Sequence, residues 1–295
     1  MSEPLYAVTP AAQAKTLAGD VRVRVVRAGW FRPDAGGFFG VVPKPLWSRF
    51  AETDERGRIQ CRLNLLLVEA GGKRLLVETG TGTRMTDKDC DIKGIEGGDP
   101  AEALRAVGID PASLDFVVVS HLHYDHAGGM VDADGRPNFP NARYIVQRDE
   151  AEAARGDELR LAGVMELEQL ELVRAAGQLA EVHGEAELVP GVRVVPTGGH
   201  TRGSQALLLG TAGDAPGEPA GERAIFWGDL IPTRWQIPVR WTSAFDDYPV
   251  QAVEIRNRLV TQAATEGWWC YFTHDPGDLP IRIEQTEKGF RVREA

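Results

Sequence analysis

Short apolar runs, most of them as long as one β-strand, recur along the whole chain. VRVRVVRAGW alternates in hydropathy from Val21, and CRLNLLLVEA and KRLLVETG flank Gly71 and Gly72, which predicts a strand followed by a β-hairpin. The runs LDFVVVS, ARYIVQ, ELVPGVRVVP, QALLLG, AIFWG and WWCYFT each have the length of a further strand. The IRIEQTEKGFRV segment predicts a small hairpin near the end of the sequence. The pattern is that of a β-rich protein.

Helical spacing of apolar residues separates these strands in three regions. DPAEALRAVG predicts a helix with Asp99 as its N-cap, Pro100 at its first position and Gly108 beyond its end. Residues 149–180 predict one or two surface helices, and YPVQAVEIRNRLVTQAATEG predicts another. No long linker divides the chain. The sequence therefore predicts two β-rich halves with helices outside them, in a single domain over residues 1–295.

Composition and charge narrow the class of protein. The 295 residues are 43% hydrophobic and 26% charged, as in ordinary globular proteins with a sizeable core. The net charge of −10 and the lack of basic clusters argue against a nucleic-acid partner. The start MSEPLYAVTP does not resemble a secretory signal, and no apolar run approaches the length of a membrane span. With three widely spaced cysteines, these features predict a cytoplasmic protein without a membrane partner.

Potential metal ligands follow four of the predicted strands. His121 follows DFVVVS, His200 follows VRVVPTGG, Asp229 follows AIFWG, and His274 follows WWCYFT. Strand ends in a packed sheet lie along a common rim, so side chains that are distant in sequence can meet there. Rigid strands also hold side chains with the accuracy that a metal site requires. The recurrence therefore predicts a metal centre at one edge of the sheets.

The segment HLHYDHAGG carries three of the six histidines. His121 and His123 lie two residues apart on extended backbone and can share one metal, while Asp125 and His126 can face a second. Gly128 and Gly129 are interpreted as a sharp turn into a following helix. Nitrogen and carboxylate ligands suit zinc, and also manganese, iron or cobalt. The predicted site holds two divalent ions, with His121, His123 and His200 on one, Asp125, His126 and His274 on the other, and Asp229 shared between them.

In these residues the chain resembles the metallo-β-lactamase superfamily. HLHYDH matches the HxHxDH signature, GGHTRGS the second histidine motif, WGDL the bridging aspartate, and FTHD the last histidine. The resemblance implies an αββα sandwich, an α/β (α+β) fold in which two mixed β-sheets are flanked by helices and the metals lie at one edge. FFGVVPKPLWSRF, WGDLIPT and FDDYP resemble the quorum-quenching (YtnP-like) N-acyl-homoserine lactonases and the methyl parathion hydrolases. A homodimer is expected only by analogy with that family.

Two positions depart from the family pattern. Glu78 stands where the family usually has an aspartate in its DTG turn, so its longer side chain must support the metal loop from further back, or not at all. Pro232 stands where well-studied lactonases place a tyrosine. A phenolic proton donor would then come from elsewhere, and Tyr124 and Tyr248 are the candidates, with packing as the alternative role for both.

The resemblance and the ligand set together predict a metal-dependent hydrolase. Two such metals would lower the pKa of a bound water to about 7, and the resulting hydroxide would attack a lactone or ester carbonyl. Asp229 would be shared between the metals, and Asp125 would relay a proton to the leaving group. The expected substrate is a small molecule of the N-acyl-homoserine-lactone type. The alternatives are a phosphotriesterase and a metal-binding protein without hydrolase activity.

The glycine- and proline-rich segment FRPDAGGFFGVVPKPLWSRF carries more aromatic residues than surface loops usually do. One interpretation is a flap over the substrate, in which Phe38, Phe39 and Trp47, together with Trp235, line an apolar pocket for an acyl chain. The other is that these side chains simply pack into the core. The sequence favours neither interpretation.

Overall fold

The computed structural model describes residues 5–8, 14–161, 163–211 and 221–293, and two β-sheets form its centre. The strands of the first sheet are β1 (Ala7–Val8), β2 (Lys15–Thr16), β3 (Arg22–Phe31), β4 (Cys61–Ala70), β5 (Lys73–Val77), β6 (Glu96–Gly97), β7 (Phe116–Val118), β8 (Arg143–Gln147) and β9 (Leu179–Val182). Those of the second are β10 (Ala186–Val189), β11 (Val192–Pro196), β12 (Gln205–Leu209), β13 (Ala224–Phe226), β14 (Trp269–Tyr271), β15 (Ile281–Thr286) and β16 (Gly289–Val292).

Both sheets are mixed. In the first, β3, β4 and β5 are antiparallel, and β5, β7, β8 and β9 run parallel. In the second, neighbouring strands are antiparallel except β13 and β14, which are parallel. The predicted β4–β5 hairpin is confirmed, and Gly71 and Gly72 at its tip have φ angles of +56° and +73°, which glycine adopts without steric cost.

Eight α-helices surround the sheets in the part of the chain that the structure describes. They are α1 (Ala35–Phe39), α2 (Lys44–Trp47), α3 (Asp87–Lys93), α4 (Pro100–Ala106), α5 (Tyr124–Ala127), α6 (Arg148–Arg155), α7 (Leu167–Ala175) and α8 (Pro249–Glu266). The predicted N-cap of α4 is confirmed, since Asp99 accepts hydrogen bonds from the backbone N–H groups of Ala101 and Glu102. No helix within these residues is both long and apolar enough to span a bilayer.

Two hydrophobic cores explain why the sheets and helices stack in layers. Along β4, Leu66 and Val68 belong to the core between the two sheets, whereas Leu65 and Leu67 belong to the core under the helices. Both faces of β4 are thus buried, which accounts for its nearly continuous apolar sequence. Helices α4, α6 and α7 contribute to the second core, and α8 packs against β15. The αββα sandwich that the resemblance implied is confirmed, while the single domain over residues 1–295 stays a prediction.

The two glycines after the histidine motif serve close packing. Helix α5 ends at Ala127, before Gly128 and Gly129, and Gly128 has an ordinary helical φ of −63°, so the predicted turn into a following helix was wrong. A Cβ on Gly128 would lie 2.4 Å from the carbonyl oxygen of Thr81, and one on Gly129 would lie 2.2 Å from that of Thr79. Glycine is required because the histidine motif packs directly on the backbone that follows β5.

Candidate metal centre

The seven side chains predicted as metal ligands lie together at one edge of the sandwich. β13 and β14 are parallel, so the residues that follow them, Asp229 and His274, leave the second sheet at the same edge. β11 runs in the same direction two strands away, which brings His200 to that edge as well. His121 follows β7 of the first sheet, and its ring lies 4.6 Å from the ring of His200, measured between centroids. Strand direction therefore explains the convergence.

Three imidazoles form the first group. His123 Nδ1 lies 3.0 Å from His121 Nε2 and 3.1 Å from His200 Nε2. The possible ligand atoms of the three residues all lie within 4.8 Å of one another. These three residues could hold a metal ion together, and their assignment to one ion of a pair stays a prediction.

A second group lies beside the first. His274 Nε2 is 3.1 Å from His126 Nε2 and 3.4 Å from Asp125 Oδ2. Asp229 Oδ1 is 3.3 Å from the Nε2 atoms of both histidines, and its Oδ2 is 3.6 Å from His200 Nε2. Asp229 thus stands between the two groups, as expected for a carboxylate that contacts both ions.

Hydrogen bonds behind the imidazoles show that these residues fit a cation. His274 Nδ1 lies 3.0 Å from the carbonyl oxygen of Arg62, which can only accept, so in the neutral ring the proton is assigned to Nδ1 and Nε2 carries a lone pair. By the same argument, His200 Nδ1 donates to Asp246 Oδ1 at 3.0 Å. The free lone pairs of His200 and His274 therefore point at other ring nitrogens and carboxylate oxygens, 3.1–3.6 Å away. Positive charge between them makes that arrangement favourable.

The electrostatics of the cluster agree with this fit. Burial lowers the pKa values of His121 and His123 well below the usual range, and their neighbouring imidazoles add to the effect, so both rings stay neutral as ligands require. Burial also disfavours the charged form of His126, but Asp229 and Glu78 outweigh it and hold the pKa of this histidine well above normal. The carboxylates therefore create a negative potential that attracts a cation.

Glu78 supports the histidine motif from behind. It is fully buried with a φ of +69°, uncommon for a residue other than glycine. Its Oε2 accepts from the backbone N–H of Ser120 at 3.2 Å, and its Oε1 lies 3.3 Å from His126 Nδ1. The Ser120 hydroxyl lies 2.9 Å from His121 Nδ1. The longer side chain therefore reaches the metal loop, which answers the question left open by the sequence.

A buried charge pair behind His200 was not predicted. Asp246 Oδ2 accepts from Arg256 Nη2 at 3.2 Å and from the backbone N–H of Ser243 at 3.0 Å. Arg256 is fully buried and also donates to the carbonyl oxygens of Leu230 and Trp241. The sequence did contain a signal for this pair. Arg256 lies on the same face of α8 as Ala252 and Leu259, and a charge on a buried helix face needs a buried partner.

Asp246→Asn tests how this pair orients His200. The amide keeps the size of the side chain but weakens the hydrogen bond that holds the imidazole, and we expect affinity for an added divalent ion to fall about ten-fold. Competition with a chromophoric chelator measures the affinity directly. Unchanged affinity in a folded variant would contradict an orienting role for Asp246.

A second unpredicted carboxylate joins the two ligand loops. Glu150 of α6 is fully buried and accepts from the backbone N–H of Leu122 at 2.9 Å, the hydroxyl of Thr201 at 2.7 Å and the backbone N–H of Gly203 at 2.9 Å. A Cβ on Gly203 would lie 2.1 Å from the backbone nitrogen of Glu150, so glycine permits this approach. No local sequence pattern marks Glu150, because its partners come from two distant loops.

A cavity of about 290 Å³ opens onto the ligand cluster. Of the residues predicted to line a pocket, Phe38 does so, and Tyr124 lines it as well. The other lining side chains include Phe31, Pro33, Asp34, Lys93, Val164, Pro232, Ser243 and Phe245, with His123, Asp125, His200, Asp229 and His274 at its base. Phe31, Phe245 and Lys93 were not predicted.

The remaining predicted pocket residues are placed elsewhere. Phe39 and Trp47 are buried and stack with ring centroids 5.0 Å apart, and Trp235 lies 5.9 Å from Phe39. Phe39 of α1 and Trp47 of α2 belong to the core under the helices, and Trp235 packs against that core. Tyr248 is partly exposed at the start of α8 and is not among the lining residues. His183, the one histidine outside the ligand cluster, is exposed, as predicted.

Comparison with known protein families and structures adds independent findings. The family model described as the metallo-β-lactamase superfamily matches residues 60–274. An N-acyl homoserine lactonase of a Bacillus species is 38% identical over 176 residues, which cover 58% of this chain and 61% of the relative. One from Bacillus cereus is 37% identical over 108 residues, or 37% of this chain and 38% of the relative. The similarity thus spans less than two thirds of either relative.

Solved structures show the same fold. A probable metal-dependent hydrolase from Staphylococcus aureus superposes with a TM-score of 0.82 at 26% identity, covering 94% of this chain and 99% of the other. AidC, a dizinc quorum-quenching lactonase in complex with a product, N-hexanoyl-L-homoserine, superposes with a TM-score of 0.78 at 19% identity, covering 99% of both chains. These similarities cover the sandwich and the edge at which the candidate ligands meet.

Proposed function

This chain belongs to the metallo-β-lactamase superfamily, and from that premise we propose that it is a dinuclear metal hydrolase that opens N-acyl-homoserine lactones. The observation that carries the proposal is the convergence of five imidazoles and two carboxylates, whose neighbouring nitrogen and oxygen atoms lie 3.0–3.9 Å apart, at the base of one cavity. The lactonase relatives favour a lactone over other substrates.

The proposed ligands of the two ions are those expected from the sequence. His121, His123 and His200 form one set, Asp125, His126 and His274 form the other, and Asp229 contacts both. Two divalent ions, zinc in the first instance and otherwise manganese, iron or cobalt, would supply a water of lowered pKa and polarise the substrate carbonyl. The residues around them bind and orient the substrate and move protons.

Residues that line the cavity are suited to bind the substrate and to move protons. Phe31, Phe38 and Phe245 offer an apolar surface for an acyl chain. Asp125 Oδ2 faces the centre of the cluster and is placed to relay a proton to the leaving oxygen. Burial raises the pKa of Tyr124 well above its usual range, so its phenol stays protonated and can donate a hydrogen bond to the substrate. Tyr248 is less suited to that role because it does not line the cavity.

A pH-stat screen of the purified protein tests the proposal. We expect base consumption with N-acyl-homoserine lactones, less with simple esters and an aryl phosphotriester, and loss of all activity after chelation, with recovery when zinc, manganese or cobalt is restored. Preference for the phosphotriester would favour the phosphotriesterase alternative. A protein that holds two metals per chain and hydrolyses none of these compounds would favour a non-hydrolytic metal-binding role. The homodimer and the cytoplasmic location stay predictions.

A further inference from the structure

One cation lines the cavity beside the ligand cluster. Lys93 is partly buried at the end of α3, and its Nζ lies 4.2 Å from the centroid of the Tyr124 ring. Tyr124 directly precedes Asp125, so the lysine stands next to the segment that carries the ligands. Most of the cavity wall around it is apolar, with Phe31, Phe38 and Val164 among the lining residues.

Hydrogen bonds hold the backbone on both sides of Lys93 in place, which limits the region that its side chain can reach. Its carbonyl oxygen accepts from the backbone N–H of Arg32 at 2.7 Å. Gly94 ends the helix in a left-handed conformation and its carbonyl oxygen accepts from Arg32 Nη1 at 3.2 Å. A Cβ on Gly94 would lie 2.8 Å from the Cβ of Arg32, so the two segments are in close contact.

Within the described residues, the Lys93 ammonium has no carboxylate partner and no hydrogen-bond acceptor apart from the Tyr124 ring. Asp34 also lines the cavity outside the ligand cluster. Its carboxylate accepts from the backbone N–H of Gly37 at 2.8 Å and caps α1. Lys93 is only partly buried, and the π face of Tyr124 occupies only part of the directions in which its ammonium can donate. The remaining donors of Lys93 are available to a ligand.

We propose that Lys93 is a specificity residue that donates a hydrogen bond to a substrate oxygen other than those of the scissile ester, namely the amide carbonyl of an N-acyl lactone. This inference rests on the proposed function. The ligand cluster at the base of the cavity receives the lactone ring, and the apolar wall receives the acyl chain. The amide lies between these two parts of the substrate, and Lys93 is the cationic donor that lines the cavity, over the ring of Tyr124 and next to the segment that carries Asp125.

Two lactones and three variants test this assignment. The substrates are N-hexanoyl-homoserine lactone and an α-alkyl-γ-butyrolactone of matched chain length, which has the same ring without the amide. Lys93→Met keeps the apolar stem over Tyr124 but removes the donors, and Lys93→Gln restores a neutral donor. Lys88→Met is the matched control, since Lys88 is exposed on the same helix and its replacement changes the net charge equally.

For Lys93→Met we expect KM for the amide lactone to rise roughly ten-fold, as for loss of a hydrogen bond to a charged group, with kcat and metal content unchanged. KM for the alkyl lactone should stay at the wild-type value, Lys93→Gln should fall between, and Lys88→Met should match wild type. Equal losses on both lactones, or none on either, would overturn the assignment. A wild-type protein that hydrolyses neither lactone would instead refute the proposed function, and this inference with it.

Discussion

His123→Ala is expected to lower kcat/KM for lactone hydrolysis by about 10³-fold, because the Lewis-acid contribution of a metal is worth several kcal/mol. His123 Nδ1 lies between the Nε2 atoms of His121 and His200, at 3.0 and 3.1 Å, so its removal leaves two nitrogen ligands for the ion at that position. For the proposed dinuclear site, elemental analysis should therefore show about one metal per chain in place of two, and the kinetic loss should accompany that change.

The chain offers a matched control for this variant. His183→Ala makes the same substitution at the one histidine outside the cluster, where the side chain is exposed, and it should leave both metal content and activity at wild-type values. Full activity in a His123→Ala protein that has lost its metal would show that the imidazole cluster does not carry the reaction. Circular dichroism of both variants establishes that each is folded.

The strand pattern made the convergence of the candidate ligands predictable. Each ligand motif comes directly after an apolar run, so its place at a strand end could be read locally, and the parallel pair β13–β14 then brings Asp229 and His274 to one edge. The residues behind the ligands could not be found in this way. Glu150 and Asp246 lie on or near helices, and their partners become apparent only when the sheets and helices pack together.

The aromatic residues illustrate a different limit. Phe38 and Phe39 are adjacent in sequence, yet Phe38 lines the cavity and Phe39 stacks on Trp47 in the core. Which of the two rings faces the cavity depends on the orientation of α1, a five-residue helix that Asp34 caps at its start. Composition showed that the segment is unusual, but hydropathy alone does not distinguish an aromatic ring in a pocket from one in a core.

Glu150→Gln is expected to lower the free energy of unfolding by about 3 kcal/mol, since a buried acceptor of three hydrogen bonds becomes an amide with one acceptor oxygen and two donors. The amide nitrogen would face the N–H group of Leu122 or Gly203, and that donor would lose its partner. Leu122 lies between His121 and His123, and Thr201 follows His200, so the lost contacts also release the ligand loops. Urea unfolding of the metal-free protein measures the first effect.

Measuring metal affinity in this variant distinguishes a carboxylate that positions the ligand loops from one that only stabilises the fold. If Glu150 holds the ligand loops in register, affinity for zinc should fall about ten-fold, and the rise in melting temperature on adding zinc should shrink. Glu152→Gln, on the exposed face of the same helix, is the matched control and should change neither quantity. A Glu150→Gln protein that is less stable but binds zinc with wild-type affinity would show that the carboxylate supports the fold alone. Loss of affinity in the folded variant would instead show that one carboxylate from α6 keeps candidate ligands that follow strands of both sheets at the distance that metal binding requires.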